Sequence, residues 1–299
     1  MKKIALVVFV SLLSITSCFS QEWMTSLDVA KRLARVQNKM LFVMWGDAVD
    51  YEFPIIYKRE GSRLQITTDL LRDEEINQII WENFVPVLLY ESTYEDLFNE
   101  IKDTRNDKYI KKFQDDGIKI MDANGNILNT GYFSVDPFNF SNFVKRYGLN
   151  TIFLKAQLEN YLVKEDFYAS LRLGSKYLDY AILVDKETRE EVTDLAIIYM
   201  DEAMTRLKDE DFENKPGFNQ KCELLKLKKH LILNNPRKVL RYLKKVEPTS
   251  IDKVNESIYA FLYYTSYKLI RDEKNAALWK SKASLVDLKK AQLIINNNR

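Results

Sequence analysis

Cysteine and histidine, the side chains that most often hold metals or act as nucleophiles and bases, are nearly absent from this chain. Its 299 residues include two cysteines, Cys18 and Cys222, and one histidine, His230. A zinc site of several cysteines or histidines is therefore excluded, and a Ser-His-Asp or Cys-His site would have to use His230. His230 follows Cys222 by eight residues on one predicted helix, about 12 Å by rise alone, which is too far for direct activation of the thiol.

Glycine and proline are also scarce, with eight and six residues. This scarcity disfavours a turn-rich all-β protein and favours long helices. No segment reads G-x-x-x-x-G-K-S or G-x-G-x-x-G, so no phosphate-cradling loop is predicted. The net charge of +2 provides no global field for nucleic acid. We expect no nucleic-acid partner, no cofactor and no metal. The chain is long enough for two globular domains.

Residues 1–20 have the pattern of a secretory signal peptide. A basic "MKK" precedes the apolar run "IALVVFVSLLSI", and small and polar residues follow in "TSCFSQ". The run is shorter than the roughly 20 residues that span a bilayer. We favour cleavage after Ser20. The competing interpretation is a lipobox, "ITSC", with Cys18 lipidated as a membrane tether, although Ile15 stands where leucine is more usual. Either interpretation predicts export to the periplasm or cell envelope.

Residues 22–150 predict an α/β domain. A helix begins near Thr25 and Asp28, which have capping-box spacing, and "MLFVMW" is an apolar run typical of a buried strand. The pattern of "DEEINQIIWENF" indicates a helix, and "FVPVLLY" a second buried strand. "GIKIMDANGNILNTGYF" predicts two strands joined at Asn124-Gly125. A last helix, "DPFNFSNFVKRYG", ends at Gly148.

The phrases "EW", "NKMLFVMW", "ENFVPV", "MDANGNIL" and "GYFSVDPFNF" resemble the exported thioredoxin-like proteins common in Bacteroidetes. The resemblance implies a thioredoxin-like fold with two active-site cysteines near Val49 and Glu52, yet no cysteine lies between positions 19 and 221. The family's cis-proline is replaced by Asp116 or Gly117, where a trans peptide is expected because a non-proline cis bond costs roughly 2.5–4 kcal/mol. Thiol–disulfide exchange needs an attacking thiolate. We therefore expect this domain to be redox-inactive.

Acidic residues occupy the turn where the cysteines would stand. Asp47, Asp50 and Glu52 are either a carboxylate pair or cation site of another enzyme class, or a solvated helix N-terminus. We favour the solvated turn, because no further ligand set is visible. The resemblance implies a partner-binding groove around Asp50, Tyr51, Asp116 and Gly117.

A second acidic segment imitates half of a calcium loop. Asp122, Asn124 and Asn126 have the alternate spacing, but the required glycine and bidentate glutamate are missing. A hairpin turn explains the same residues, and we favour it.

Residues 151–299 predict an all-α domain. The segments "REEVTDLAIIYMDEAMTRL", "PTSIDKVNESIYAFLYYTSYKLI" and "KNAALWKSKASLVDLKKAQLI" each predict one helix, the second beginning at a Thr249/Asp252 capping pair. Helix pairs of about 35–45 residues are TPR-like in length, and an irregular helical bundle is the alternative.

Basic residues concentrate in part of this second domain. They are either a docking patch for an acidic partner or envelope surface, or a solvated face. Of the two candidate partner surfaces, the groove and this patch, we favour the patch for electrostatic docking. Cys222, in the same segment, is a reactive thiol beside lysines or, as we favour, a small core residue. The segment 221–245 contains one glutamate and nine basic residues: Lys221, Lys226, Lys228, Lys229, Arg237, Lys238, Arg241, Lys244 and Lys245.

The sequence thus predicts a redox-inactive thioredoxin-fold binding or scaffold protein of the bacterial cell envelope, without catalytic or metal residues, that recognises a protein or peptide partner. An enzyme using carboxylates near Asp47 and Asp50, or a thiol protein working through Cys222, is the alternative. The predicted binding residues are Asp50, Tyr51, Asp116, Gly117, Lys228, Lys229 and Arg241.

Overall fold

The first half of the chain contains both helices and strands, and the described part of the second half contains helices and no strand. The computed structural model describes residues 22–50, 52, 54–58, 63–131, 137–209 and 212–299, with only the backbone of residues 49 and 50. The predicted signal segment, residues 1–20, lies outside these ranges. In the part of the chain that is described, every helix is too short or too polar to cross a bilayer.

Two small sheets hold the described strands. The strands are β1 (Met40–Trp45), β2 (Ile55–Tyr57), β3 (Gln65–Thr67), β4 (Phe84–Leu89), β5 (Ile118–Met121), β6 (Ile127–Gly131) and β7 (Phe138–Asn139). The larger sheet has the order β4-β1-β5-β6, with β1 parallel to β4, antiparallel to β5, and β5 antiparallel to β6. The smaller sheet has the order β3-β2-β7.

The apolar runs explain the larger sheet. All six residues of β1 are buried, as its unbroken hydrophobic sequence predicts for an internal strand. Phe42 pairs with Pro86 of β4 on one side and with Ile120 of β5 on the other. Pro86 has no N–H to donate, and β4 tolerates it because β4 is the outer strand of this order.

Five helices accompany the sheets in the described first half, and two of them were not predicted. They are α1 (Leu27–Gln37), α2 (Glu74–Asn83), α3 (Tyr94–Ile101), α4 (Asp107–Gln114) and α5 (Phe140–Tyr147). The cap of α1 is Ser26, whose hydroxyl accepts from the Val29 N–H, rather than the expected Thr25. Gly148 closes α5, as predicted. The helices missed by the pattern are α3 and α4, of eight residues each.

Eight α-helices joined by short turns make up the described residues of the second half. Its helices are α6 (Lys155–Lys164), α7 (Phe167–Tyr180), α8 (Arg189–Asp209), α9 (Lys215–Ile232), α10 (Pro236–Leu243), α11 (Glu256–Leu269), α12 (Glu273–Lys280) and α13 (Leu285–Asn297). Two predicted boundaries were wrong. The helix expected from Pro248 begins at Glu256, after two 3-10 turns, and the expected last helix is two helices separated at residues 281–284.

Buried polar contacts join the helical half to the sheet. The β5–β6 hairpin turn presents Asp122 to the hydroxyls of Tyr177 (α7) and Tyr199 (α8). Near it, Arg105 donates to Glu202 of α8 at 2.7 Å. Helix α8 packs along β6, the other outer strand, so that this sheet edge is covered. The helical half therefore covers the β6 side of the larger sheet.

Candidate functional site

A hollow of about 280 Å³ opens at the carboxyl end of β1. Three segments meet there: the 3-10 turn Gly46–Asp50, the turn Glu91–Thr93 with the start of α3, and the loop before β5. They meet because parallel β1 and β4 end at the same edge, where antiparallel β5 begins. We call this hollow the β1 groove, and its lining consists of Trp45, Gly46, Asp47, Ala48, Glu91, Tyr94 and Asp116.

Aromatic rings form the inner wall of the β1 groove. The ring of Trp45 lies 5.3 Å from that of Tyr94 and 5.6 Å from that of Phe113, centroid to centroid, the second pair nearly perpendicular at 85°. Tyr94 and Phe113 are 5.0 Å apart. Such pairs contribute about 0.5–1.5 kcal/mol each beyond their buried area. The wall is thus preformed, with Trp45 buried and Tyr94 half-buried, and the exposed part of the Tyr94 ring suits an apolar or cationic side chain.

Backbone contacts fix the loop before β5. The carboxylate of Asp115 accepts from the Gly117 N–H at 2.8 Å, and the ammonium of Lys119 donates to the Asp115 carbonyl oxygen. The peptide bonds of this loop are trans, as predicted. Gly117 is buried, and a Cβ there would come within 2.2 Å of the Gly131 carbonyl oxygen. Gly117 therefore serves the close approach of β5 and β6 and presents no side chain to a partner.

Lys119 is a fully buried cation beneath the β1 groove. Its ammonium lies 5.4 Å from the centroid of the Trp45 ring. Burial lowers the pKa of Lys119 to about 8, against the opposing effect of the Asp115 and Asp116 carboxylates. The sequence interpretation missed this residue, although a lysine inside the apolar strand "IKIM" is an available signal. Its hydrogen bonds tie the strand to the loop that carries Asp116.

The β1 groove brings together some of the predicted binding residues. Asp47 and Asp116 both line it with exposed side chains, and Glu91, which was not predicted, joins them. The backbone of Asp50 belongs to the adjoining 3-10 turn. The side chain of Asp50 and the whole of Tyr51 lie outside the described residues.

The carboxylates near β1 do not form a metal centre in the described chain. Glu52 is exposed and is not among the residues that line the groove. Within the described ranges, no three histidine, cysteine, aspartate or glutamate side chains are placed to hold one metal ion. Because the side chain of Asp50 lies outside the described residues, the enzyme hypothesis for Asp47 and Asp50 stays a prediction.

In the segment that resembles a calcium loop, the carboxylate of Asp122 accepts hydrogen bonds from other groups of the protein. One carboxylate oxygen of Asp122 accepts from the backbone N–H groups of Asn124 and Asn126, both at 2.9 Å. The other accepts from the Tyr177 hydroxyl at 3.1 Å and from the Tyr199 hydroxyl. The side-chain amides of Asn124 and Asn126 donate to the Tyr199 oxygen at 2.9 and 3.1 Å. These contacts favour the hairpin-turn interpretation.

Cys222 and His230 are poorly placed for chemistry. The Cys222 side chain has no exposed surface, and burial raises the pKa of its thiol to about 11. A thiol with that pKa is almost wholly protonated at neutral pH and is a weak nucleophile. Burial, with the charges of Lys238 and Lys229, lowers the pKa of His230. The structure favours the core-residue interpretation of Cys222.

The basic segment is divided between the interior and the surface. Three ammonium groups of α9 pair with carboxylates of α7 and α8: Lys226 with Asp201 at 2.7 Å, Lys228 with Asp179, and Lys229 with Asp194. Lys228 is only 3% exposed, so its expected contact with an acidic partner is corrected to an internal ion pair. Lys229 is likewise engaged by α8. Arg241 is exposed, as are Arg237, Lys238, Lys244 and Lys245.

Comparisons with known proteins give no relative. The scan against protein-family models, the search of curated proteins and the search of solved structures each found no match for this chain. The functional argument therefore depends on the groove itself.

Proposed function

We propose that this chain is a redox-inactive, thioredoxin-like binding protein of the bacterial cell envelope, whose β1 groove holds a segment of a protein or peptide partner. The helical half, in TPR-like or bundle form, supports the sheet from the opposite side and offers a second surface. The chain acts by recognition rather than by thiol chemistry.

The β1 groove carries this proposal. It lies where the first strand ends and the loop before the hairpin begins, which is where the resemblance places the partner-binding groove. The described elements include the series α1, β1, α2, β4, β5–β6 hairpin and α5 that the resemblance implies, and β1 is an internal strand of its sheet. They also include β2, β3, α3, α4 and β7, which are additions to that series. The aromatic wall of Trp45 and Tyr94 is retained there, while no cysteine occurs between positions 19 and 221.

The lining indicates the chemistry of the partner segment. Asp47, Glu91 and Asp116 are carboxylates, and no lysine or arginine shares the lining that the structure describes. Charge-assisted hydrogen bonds to carboxylates, together with contact to the half-buried Tyr94 ring, favour a lysine or arginine side chain. The preferred partner is therefore an extended segment that carries a basic residue.

A peptide selection against the mature protein tests the proposal. Peptides recovered from a random displayed library are expected to be rich in lysine or arginine and to bind less tightly as salt increases, because salt screens charge attraction. Asp47→Arg/Asp116→Arg should weaken their binding by about tenfold or more, the effect of about 1.4 kcal/mol.

The matched control changes the same charge elsewhere. Asp103 and Asp185 are exposed, and neither lines the groove. Asp103→Arg/Asp185→Arg should leave binding unchanged. An equal loss of peptide binding in both double variants would show that net charge alone sets the affinity. It would contradict a site specific to the groove.

Export forms the second part of the proposal and is tested independently. The product purified from its natural host should begin at Gln21, or be blocked at a lipidated Cys18, because residues 1–20 have the signal pattern. A mature protein that retains Met1 would remove the envelope assignment while leaving the groove hypothesis intact.

A further inference from the structure

A second hollow, of about 570 Å³, lies in the helical half between the start of α10 and the end of α11. One wall comes from the α9–α10 connection and α10, and the other comes from the last residues of α11 and the turn after it. We call it the arginine hollow. Its lining consists of Asn234, Asn235, Pro236, Arg237, Lys238, Arg241, Leu269, Ile270 and Arg271.

Four cations share the arginine hollow, and no carboxylate lines it in the described chain. They are Arg237, Lys238, Arg241 and Arg271, all exposed. Within the residues that the structure describes, none of the four forms an ion pair, in contrast to Lys226, Lys228 and Lys229 of α9.

The two acidic side chains that follow Arg271 in the sequence hydrogen-bond to other groups. Asp272 caps α12, where its carboxylate accepts from the Asn275 N–H at 3.1 Å and from the Asn275 side-chain amide at 2.6 Å. Glu273 accepts from the Lys268 ammonium at 2.8 Å. Both carboxylates therefore make their hydrogen bonds to other groups, and neither forms an ion pair with a cation of the hollow in the described chain.

The concentration of like charges in the arginine hollow favours the binding of an anion. Four cations around one concave surface repel each other, and the repulsion is relieved when an anion binds among them. Three of the four are arginines, whose planar guanidinium groups bind phosphate oxygens in pairs. A lysine alone would act as a point charge, whereas several guanidinium groups can engage different oxygens of one phosphate.

We propose that the arginine hollow is a binding site for a phosphate group, carried either by a soluble phosphate compound or by an anionic lipid headgroup. Arg241 on α10 and Arg271 after α11 approach the phosphate from opposite walls. Arg237 and Lys238 complete the positive surface, and the apolar side chains of Leu269 and Ile270 flank it. This inference is independent of the β1 groove.

Calorimetric titration of the mature protein with inorganic phosphate and with glycerol 3-phosphate tests the soluble source. Flotation with phosphatidylcholine vesicles, with and without phosphatidic acid, tests the lipid source. We expect saturable binding to at least one phosphate probe, and Arg241→Glu/Arg271→Glu should weaken it by about tenfold for each arginine lost. Arg241→Lys/Arg271→Lys, which keeps the charge but removes the paired donors, should produce an intermediate loss.

The control keeps the same change in net charge. Lys280 and Lys289 are exposed, line no part of the hollow, and form no ion pair in the described chain. Lys280→Glu/Lys289→Glu should bind phosphate as the wild type does, and circular dichroism should show that all variants are folded. Absence of binding to every phosphate probe, or equal loss in the control, would overturn the proposal. Binding to vesicles alone, or to soluble phosphate alone, would identify the source.

Discussion

Replacement of Asp122 by alanine should destabilise the protein strongly, because this buried carboxylate joins the hairpin turn to the helical half. It accepts two backbone N–H groups within the turn and two tyrosine hydroxyls from α7 and α8. A buried donor left without an acceptor costs about 1–3 kcal/mol. Four such donors would cost more if they were independent, but neighbouring effects overlap, so we expect a loss of about 4 kcal/mol.

Loss of the hydroxyl should destabilise the protein more at Tyr199 than at Tyr177. Tyr177→Phe removes one hydrogen bond and should cost about 1 kcal/mol. Tyr199→Phe also leaves the side-chain amides of Asn124 and Asn126 without their acceptor, and should cost about 2–3 kcal/mol. Tyr242→Phe, at a 39% exposed site, is the matched control and should change stability little.

Urea denaturation followed by circular dichroism measures these differences, and a double-mutant cycle isolates the contact. Asp122→Ala/Tyr199→Phe should be less destabilised than the sum of its single changes by about 1 kcal/mol or more. Strict additivity, or a loss for Tyr199→Phe no larger than that for Tyr242→Phe, would refute the account of this junction.

Three further predictions follow from the thiols and from the buried lysine. The mature protein should not reduce insulin disulfides, because no cysteine stands in the first domain, and turnover at the rate of a thioredoxin would contradict this. Cys222 should react with a disulfide reagent only after urea unfolds the protein, because it is buried with a pKa near 11, and rapid reaction of the native protein would show an accessible thiol. The pKa of Lys119 falls from 10.5 to about 8 on folding, so the unfolded chain holds more protons between these values and stability rises with pH across that window. Relative to Lys119→Met, the wild type should therefore gain about 3 kcal/mol from pH 8 to pH 10.5, and parallel profiles would refute the assignment.

Local pattern was enough to predict much of the sheet and several helices. The runs "MLFVMW" and "FVPVLL" became β1 and β4, and the turn at Asn124-Gly125 joins β5 and β6. Gly125 has a φ of 90°, which explains glycine there. Strands β2 and β3 were missed because three residues each are too few to show a period.

The sites depended on contacts that sequence patterns do not encode. Trp45, Tyr94 and Asp116 come from three separate segments, and only the folded sheet shows that they share one groove. The same limit explains why Lys228 was wrongly predicted as a surface binding residue. Its ion-pair partner, Asp179, lies 49 residues earlier in the chain. Arg241 was predicted as a binding residue, but Arg271, which lines the other wall of the arginine hollow, was not.

The central claim is that a basic peptide segment binds in the β1 groove, and the indole signals of the four tryptophans test it most directly. Trp45 lines the groove, whereas Trp279 lies in the helical half against Tyr263. In an NMR titration of tryptophan-labelled protein with a selected basic peptide, the Trp45 indole signal should shift in a saturable manner while the Trp279 signal stays in place. Saturable movement of Trp279 with Trp45 unchanged would contradict the account.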